Sequence, residues 1–254
     1  MPESLKPDNY ARQTLERYTG SEIAEFGPYV LLVNFPRYIE DFARLRGIPI
    51  KKGHWTAAHD GGSGVSIINF GVGSPSAGII THCLSCLDNA KAVLMMGMCG
   101  GIDDSLEVGD IILPTASVRD EGTSRHYIPP DVPAMPHTKI NRVCNEVVRA
   151  KTGARVTSGL MLTTDYRMWE FDREFIEYIS KHRIIAIDME IATIFAVAYA
   201  RNLPAGAVML VSDMPLRQGG IKDKESMKAV FTKHTESHLE TGLGIVEEFK
   251  RRGV

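Results

Sequence analysis

Two short apolar runs in this sequence end in acids. Ile184 to Ile187 leads into Asp188 and Glu190, and Ala205 to Val211 leads into Ser212 and Asp213. Between them lies an almost uncharged helical stretch, broken by Asn202, Leu203 and Pro204. The pattern reads as strand, buried helix, strand. Open α/β sheets build their sites beyond the C-terminal ends of strands, where both pairs of acids fall. Two carboxyls in one crevice suit an acid and a ligand for hydroxyls. The same residues also fit a bland reading, with Asp188 capping the helix and Asp213 starting a turn before Pro215.

Other residues with chemical capacity are scattered. Gly71-Val72-Gly73-Ser74-Pro75-Ser76 opens a helix and offers backbone N–H groups to an anion or a sugar oxygen. It lacks the third glycine of a dinucleotide fingerprint, and no acid is placed to hold a ribose of that kind. Asn34-Phe35-Pro36-Arg37 presents a second helix start with an Arg just inside it, which suits a phosphate or is simply a surface Arg. Cys83 and Cys86 have redox or metal spacing but lie inside a helical pattern with no second pair, so they read as structural thiols. His234 and His238 share a helix face without zincin spacing and read as a solvated face.

The elements that must position these residues alternate along the chain. Helices are expected at Asn9 to Tyr18, Tyr38 to Arg46, Gly71 to about Leu87, Thr138 to Lys151, about Asp172 to Lys181, and Ile221 to Arg252. Strands are expected at Tyr29 to Val33, Ala92 to Met96, Asp110 to Arg119 and Val156 to Leu162. His54 to His59 and Val65 to Phe70 flank the hairpin signal Asp60-Gly61-Gly62-Ser63-Gly64. Glu121 to His137 reads as a long loop and Thr163 to Trp169 as a polar turn. Continuous apolar strands alternating with helices argue a parallel or mixed sheet covered on both faces, in one domain spanning residues 1–254.

Composition excludes several classes. The 254 residues are 44% apolar and 24% charged, as in ordinary globular proteins. A formal charge of −2 gives no basic field for nucleic acid. No run approaches the ~18 apolar residues of a membrane helix. Met1 to Asp8 is polar, without a secretory pattern. Four cysteines in a chain this long read as reduced thiols of a cytoplasmic protein.

Taken in order, Asn-x-Pro-Arg37, Gly71-x-Gly73-x-Pro75-Ser76, Gly97-x-Cys99-Gly100, Asp188-Met189-Glu190 and Ser212-Asp213 after a strand resemble the purine nucleoside phosphorylase/nucleosidase superfamily. Asp120 to Tyr127, Thr163 to Arg167, and Ser212 to Arg217 running into Gly220 to Ser226 are similar to the catalytic region of its AMP-hydrolysing nucleosidases. Long bacterial forms of those carry an extra N-terminal domain, and this chain looks like the catalytic region only. The resemblance implies a three-layer α/β fold with a central mixed, partly barrel-like sheet flanked by helices. It implies hydrolysis of AMP to adenine and ribose 5-phosphate with no metal or organic cofactor. The alternatives are a purine nucleoside phosphorylase using free phosphate and a non-catalytic nucleotide-binding protein.

By the same resemblance Asp213, after Ser212, protonates the purine at N7, and Glu190 holds the ribose hydroxyls with Met189 under the sugar. Cys99, Gly100 and the Tyr166 to Trp169 turn fall beside the base. Arg37, Gly73 and Ser76 belong to the sugar or phosphate end. Phosphorylases of this superfamily carry a phosphate-gripping Arg where this chain has Met95 or Met96, which favours water as the attacker. Arg125, His126, Tyr127, Lys222 and Lys224 are the candidates for the 5′-phosphate. The chemistry agrees, since a purine leaves poorly unless a ring nitrogen is protonated. The family assembles as dimers, often as hexamers, so a homo-oligomer is expected. Lys51, Lys52 or His54 are candidates to complete a neighbour's site, and inorganic phosphate is a further candidate ligand.

Overall fold

The computed structural model describes residues 6–151 and 155–254, so part of the Met1 to Asp8 stretch lies outside the described residues. The helices are α1 (Pro7–Thr19), α2 (Pro36–Arg46), α3 (Ser74–Leu84), α4 (Thr138–Lys151), α5 (Arg173–Lys181), α6 (Ile191–Ala200) and α7 (Lys224–Arg252). The strands are β1 (Tyr29–Val33), β2 (Lys51–Lys52), β3 (Thr56–Asp60), β4 (Val65–Asn69), β5 (Ala92–Gly101), β6 (Ile111–Asp120), β7 (Val156–Thr164), β8 (Ala186–Asp188) and β9 (Ala205–Asp213).

The nine strands form one mixed sheet in the order β2-β3-β4-β1-β5-β8-β7-β6-β9, and β9 also pairs with β5. That second pairing closes β5, β8, β7, β6 and β9 into a five-stranded ring, with the remaining strands as an open extension. β5 carries the junction. It runs parallel to β1 and β9 and antiparallel to β8. Apolar residues of α1, α3 and α6 pack on one face of the sheet and those of α2, α4 and α7 on the other, each against its own buried cluster. A smaller cluster under α5 gathers Ile102, Leu162, Trp169, Ile179, Ile184 and Ile187. This is the three-layer, partly barrel-like arrangement expected.

Local chemistry explains the boundaries. Pro36 sits at the start of α2, where its missing N–H costs nothing. Asp172 caps α5 by accepting from the N–H groups of Glu174 and Phe175. Asp223 and Ser226 form a reciprocal capping box, so α7 starts at Lys224, later than Ile221. The 29 residues of α7 follow. The expected hairpin forms between β3 and β4, its turn closed by Asp60 Oδ1 accepting from Ser63 N–H.

Three expectations are corrected. β5 does not stop at Met96; Gly97 to Gly101 continue the ladder. A side chain at Gly97 would press on the ends of the Met95 and Met209 side chains, so the glycine marks close packing and not a break. The loop after β6 contains a short 3₁₀ turn, Thr123–His126. His238 is not on a solvated face. It is buried, with Nδ1 2.6 Å from the Tyr38 hydroxyl and Nε2 3.1 Å from the Val208 carbonyl. Those two partners satisfy the ring and make burial tolerable.

Candidate active site

The C-terminal ends of β1, β8 and β9 and the turn after β4 meet around the junction strand. Gly100 of β5 pairs with Ile187 on one side and Asp213 on the other. The two acidic strand ends therefore flank one glycine.

Asp188 and Glu190 divide their work. Asp188 Oδ2 accepts from the N–H groups of Glu190 (2.9 Å) and Ile191 (2.7 Å), and Oδ1 accepts from the Thr163 hydroxyl (2.6 Å). Asp188 is thus the capping group of α6, which was one of the two readings of its sequence position. Glu190, 1% exposed, points the other way. Its Oε1 accepts from Gly73 N–H (2.8 Å) and its Oε2 from Asn34 Nδ2 (3.3 Å). Burial pushes the Glu190 carboxyl well above the ordinary range, and the charge of Asp188 adds to this. Gly73 holds its turn at φ 104°, a conformation that favours glycine. The Ser74 hydroxyl donates to the Met189 carbonyl and ties the turn to the acidic strand end.

Asp213 is aimed by an irregularity in the sheet. The β5–β9 register shifts between Cys99, opposite Val211, and Gly100, opposite Asp213, which leaves Ser212 as the extra residue. The Ser212 hydroxyl lies 3.2 Å from the Cys99 carbonyl and 2.7 Å from Asp213 Oδ1. Lys222 Nζ lies 3.3 Å from the same Oδ1. Asp213 Oδ2 faces Gly100 instead, 3.8 Å from where a Cβ would stand. One oxygen of the acid is engaged, and the other faces Gly100, where the Pro215 ring stands 3.0 Å from a Cβ position. Lys222 also lies over the ring of Phe35, 5.8 Å from its centroid. Consecutive residues Asn34 and Phe35 therefore touch Glu190 and Lys222, and join the two halves of the site.

Cys99 is buried beneath this junction. Burial raises its thiol far above the usual range, helped by the charges of Asp188 and Asp213. It is a packing thiol and no nucleophile. All four cysteines are free and buried. Among the described residues no cluster of three His, Cys, Asp or Glu side chains forms a metal-ligand set, and no helix is long and apolar enough to cross a membrane.

Other expected site residues fall in different places. The Ser76 hydroxyl is occupied within its own turn, donating to the Phe70 carbonyl and accepting from the Trp55 indole N–H. Gly73 N–H serves Glu190, so the turn offers fewer free donors than its sequence suggests. Arg37 is paired with the buried Asp41 at 2.8 Å. Lys51 pairs with Glu25, and His54 packs edge-on against Tyr18. The Tyr127 hydroxyl bonds His82 Nδ1 on the last turn of α3, about 13 Å along that helix from the Gly73 end. Arg125 and His126 beside it are exposed. Lys222 is on the acid and Lys224 is exposed at the start of α7. Tyr166 is half exposed and packs edge-on against Phe175.

The sequence reading assigns no role to several positioning residues. Arg217 donates to the Asp104 and Leu106 carbonyls and pairs with Glu107, anchoring the loop that delivers Lys222. Gly220 closes that loop so tightly on the Met214 carbonyl that no side chain fits. Arg119 binds the Ile128 and Val132 carbonyls and holds the loop of Arg125 and His126. For Arg217 and Arg119 the signal was an Arg near a strand end, which sequence alone does not separate from a surface charge.

Comparison with known proteins agrees with this architecture. The sequence model of the phosphorylase superfamily matches residues 28–250. The AMP nucleosidase of Escherichia coli (strain K12) is 27% identical over 291 aligned positions, covering 96% of this chain and 60% of that protein. The chain thus spans well under two thirds of that relative's length. The guanosine phosphorylase of Halorubrum lacusprofundi is 33% identical over 172 positions, 67% of this chain and 68% of that protein. The crystal structure of AMP nucleosidase from Bacteroides thetaiotaomicron VPI-5482 superposes with a TM-score of 0.85 at 32% identity, covering 98% of this chain and 99% of that one.

Proposed function

Since the chain belongs to the phosphorylase superfamily, we propose that it hydrolyses the N-glycosidic bond of AMP to adenine and ribose 5-phosphate, residues 1–254 acting as one catalytic domain. The observation that carries this reading is the placing of Glu190 and Asp213 at the two strand ends that flank β5, with Asp213 Oδ2 facing Gly100.

In this reading the purine lies over Cys99 and Gly100, and Asp213 delivers the proton that N7 takes as the bond to C1′ breaks. Ser212 and Lys222 fix the other carboxyl oxygen, so the acid cannot rotate away from the base. As the sugar gains oxocarbenium character, its hydroxyls become better donors, and Glu190 accepts from them. Met189 lies beneath the sugar. The Gly73 and Asn34 contacts set the direction in which Glu190 points. Binding alone needs no acid beside the leaving base, which speaks for catalysis.

Water is the attacking group in this proposal. Met95 and Met96, where phosphorylases of the superfamily carry a phosphate-gripping Arg, are fully buried in the two apolar cores on opposite faces of the sheet. Arg37, the remaining cation at that end, already neutralises Asp41. Phosphorolysis is the second reading, kept because guanosine phosphorylase is among the relatives. Phosphorus NMR of the sugar product from AMP in phosphate buffer decides between them. Hydrolysis gives ribose 5-phosphate with one phosphoryl resonance; a second resonance on the sugar means ribose 1,5-bisphosphate and ends the hydrolase reading. Parallel incubations with adenosine and IMP fix the substrate. The proposal extends to a cytoplasmic homo-oligomer, checked by light scattering.

A further inference from the structure

Asn34 stands at the end of β1, 6% exposed, and its carboxamide has one end engaged and one end idle. Nδ2 donates to Glu190 Oε2 at 3.3 Å. Oδ1 is buried and meets no partner among the described residues. A buried polar atom without a partner calls for an explanation.

The explanation lies in what Glu190 does. Its neighbours supply one fixed donor, Gly73 N–H on Oε1, and one donor that can be exchanged for an acceptor, the Asn34 amide on Oε2. A carboxamide turned by half a rotation about its terminal bond presents oxygen in place of nitrogen. Ionised Glu190 needs a donor at Oε2, whereas protonated Glu190 needs an acceptor there. The idle oxygen of Asn34 is that acceptor. Charge around Glu190 works against ionisation: Asp188 lies two residues before it, and Glu121, after β6, in turn bears on Asp188. The Asp213–Lys222 pair lies beyond Gly100 and Cys99. From β1 and from the turn after β4, Glu190 meets amides.

We propose that Asn34 is a positioning residue for Glu190, holding the carboxyl in one orientation whether or not it carries a proton by turning its amide from donor to acceptor. This rests on reading Glu190 as the group that binds the sugar hydroxyls. A sugar hydroxyl donates to the ionised carboxylate, and with the acid proton turned to Asn34 Oδ1 a hydroxyl still finds an acceptor on the carboxyl. A carboxyl kept in place in both forms binds the sugar over a wider pH range than one held only when charged. An aspartate at position 34 is an acceptor only, and would hold Glu190 solely in its protonated form.

The test is a titration of Glu190 by carboxyl-¹³C NMR in the wild-type protein, Asn34→Asp and Asn34→Leu, with kcat/KM on AMP measured across the same pH range. In Asn34→Asp a second carboxylate raises the Glu190 midpoint by about one pH unit or more. It also adds an alkaline limb to kcat/KM, because two facing carboxylates drive each other apart once both ionise. In Asn34→Leu both contacts are lost, so the midpoint moves less than in Asn34→Asp while kcat/KM falls about tenfold or more on both sides of it. An unchanged midpoint in Asn34→Asp, or a loss in Asn34→Leu confined to one side of the midpoint, overturns the proposal. A wild-type protein that releases no base from AMP removes the substrate reading instead, and leaves the titration to decide the role of Asn34.

Discussion

The ammonium of Lys222 lies 3.3 Å from Asp213 Oδ1, on the same oxygen that receives the Ser212 hydroxyl. A lysine expected to read a phosphate is thus committed to the acid. Lys222→Met removes one of the two contacts that orient Asp213, and is expected to lower kcat about 10- to 100-fold through misplacement of the acid. AMP and adenosine should lose alike. Loss confined to AMP would return Lys222 to the 5′-phosphate. Asp213→Asn sets the scale for comparison, with ~10²–10⁴ lost in kcat and the fold retained.

Gly100→Ala tests the side of that acid that faces β5. The added methyl would meet the Pro215 ring at 3.0 Å and stand 3.8 Å from Asp213 Oδ2. Overpacking of this kind costs about 1–3 kcal/mol. Because the ring and the acid share the space, kcat is expected to fall about tenfold, with the melting temperature lowered by about 2–12 °C. A variant with normal kcat would show that the base does not pass over Gly100.

The loop of Arg125 to Tyr127 separates into two parts. Arg125 and His126 are exposed, whereas the Tyr127 hydroxyl is tied to His82. Arg125→Ala is expected to lower kcat/KM on AMP roughly 10- to 150-fold with adenosine unchanged. Tyr127→Phe should show no preference for either substrate. Steady-state kinetics on both decide it, and a parallel loss in Arg125→Ala excludes phosphate recognition there.

Buried histidines give the stability a pH dependence of defined sign. Burial lowers the His238 pKa from 6.5 to about 4, and His59 follows the same direction for the same reason. Between pH 4 and 6.5 the unfolded chain takes up a proton on each histidine that the folded one refuses. Stability is therefore full above 6.5 and is lost as pH falls toward 4, by about 1.4 kcal/mol per pH unit for each group. Glu190 acts oppositely: its raised value makes the folded state the better proton binder, so its share of stability declines as pH rises from the ordinary glutamate range. His238→Phe should be less stable overall but show a flatter slope between pH 4 and 6.5 in chemical denaturation. An unaltered slope would mean that His238 is charged in the fold.

Much of the site was legible because it is made of strand ends. Apolar runs closing on Asp188, Glu190 and Asp213 announce where the sheet delivers its acids, and Gly73 beside Pro75 marks a turn against a helix start. The division of labour was not legible. Asp188 and Glu190 are two residues apart and chemically alike; only the fold shows that Thr163 and the first N–H groups of α6 claim one of them. Lys222 and Ser76 misled for the opposite reason, since a lysine or serine near a site looks free until its partner is placed. His238 looked solvated because its partners, the donor Tyr38 and the acceptor Val208, lie 200 and 30 residues away. The length of β5 was hidden by its glycines, which are there for neighbouring side chains and not for a turn.

The ring closure through β5 bears on how the molecule comes apart. A single strand is laddered to β1, β8 and β9, so neither the closed ring nor the open extension separates without unzipping the backbone beside Cys99 and Gly100. The amides of β5 are expected among the last to exchange with solvent in hydrogen-exchange measurements, and the floor of the candidate site with them. Partial unfolding will strip away α1 or the segment around α5 well before it reaches the two acids, and proteolytic fragments that end inside β5 will not hold either half.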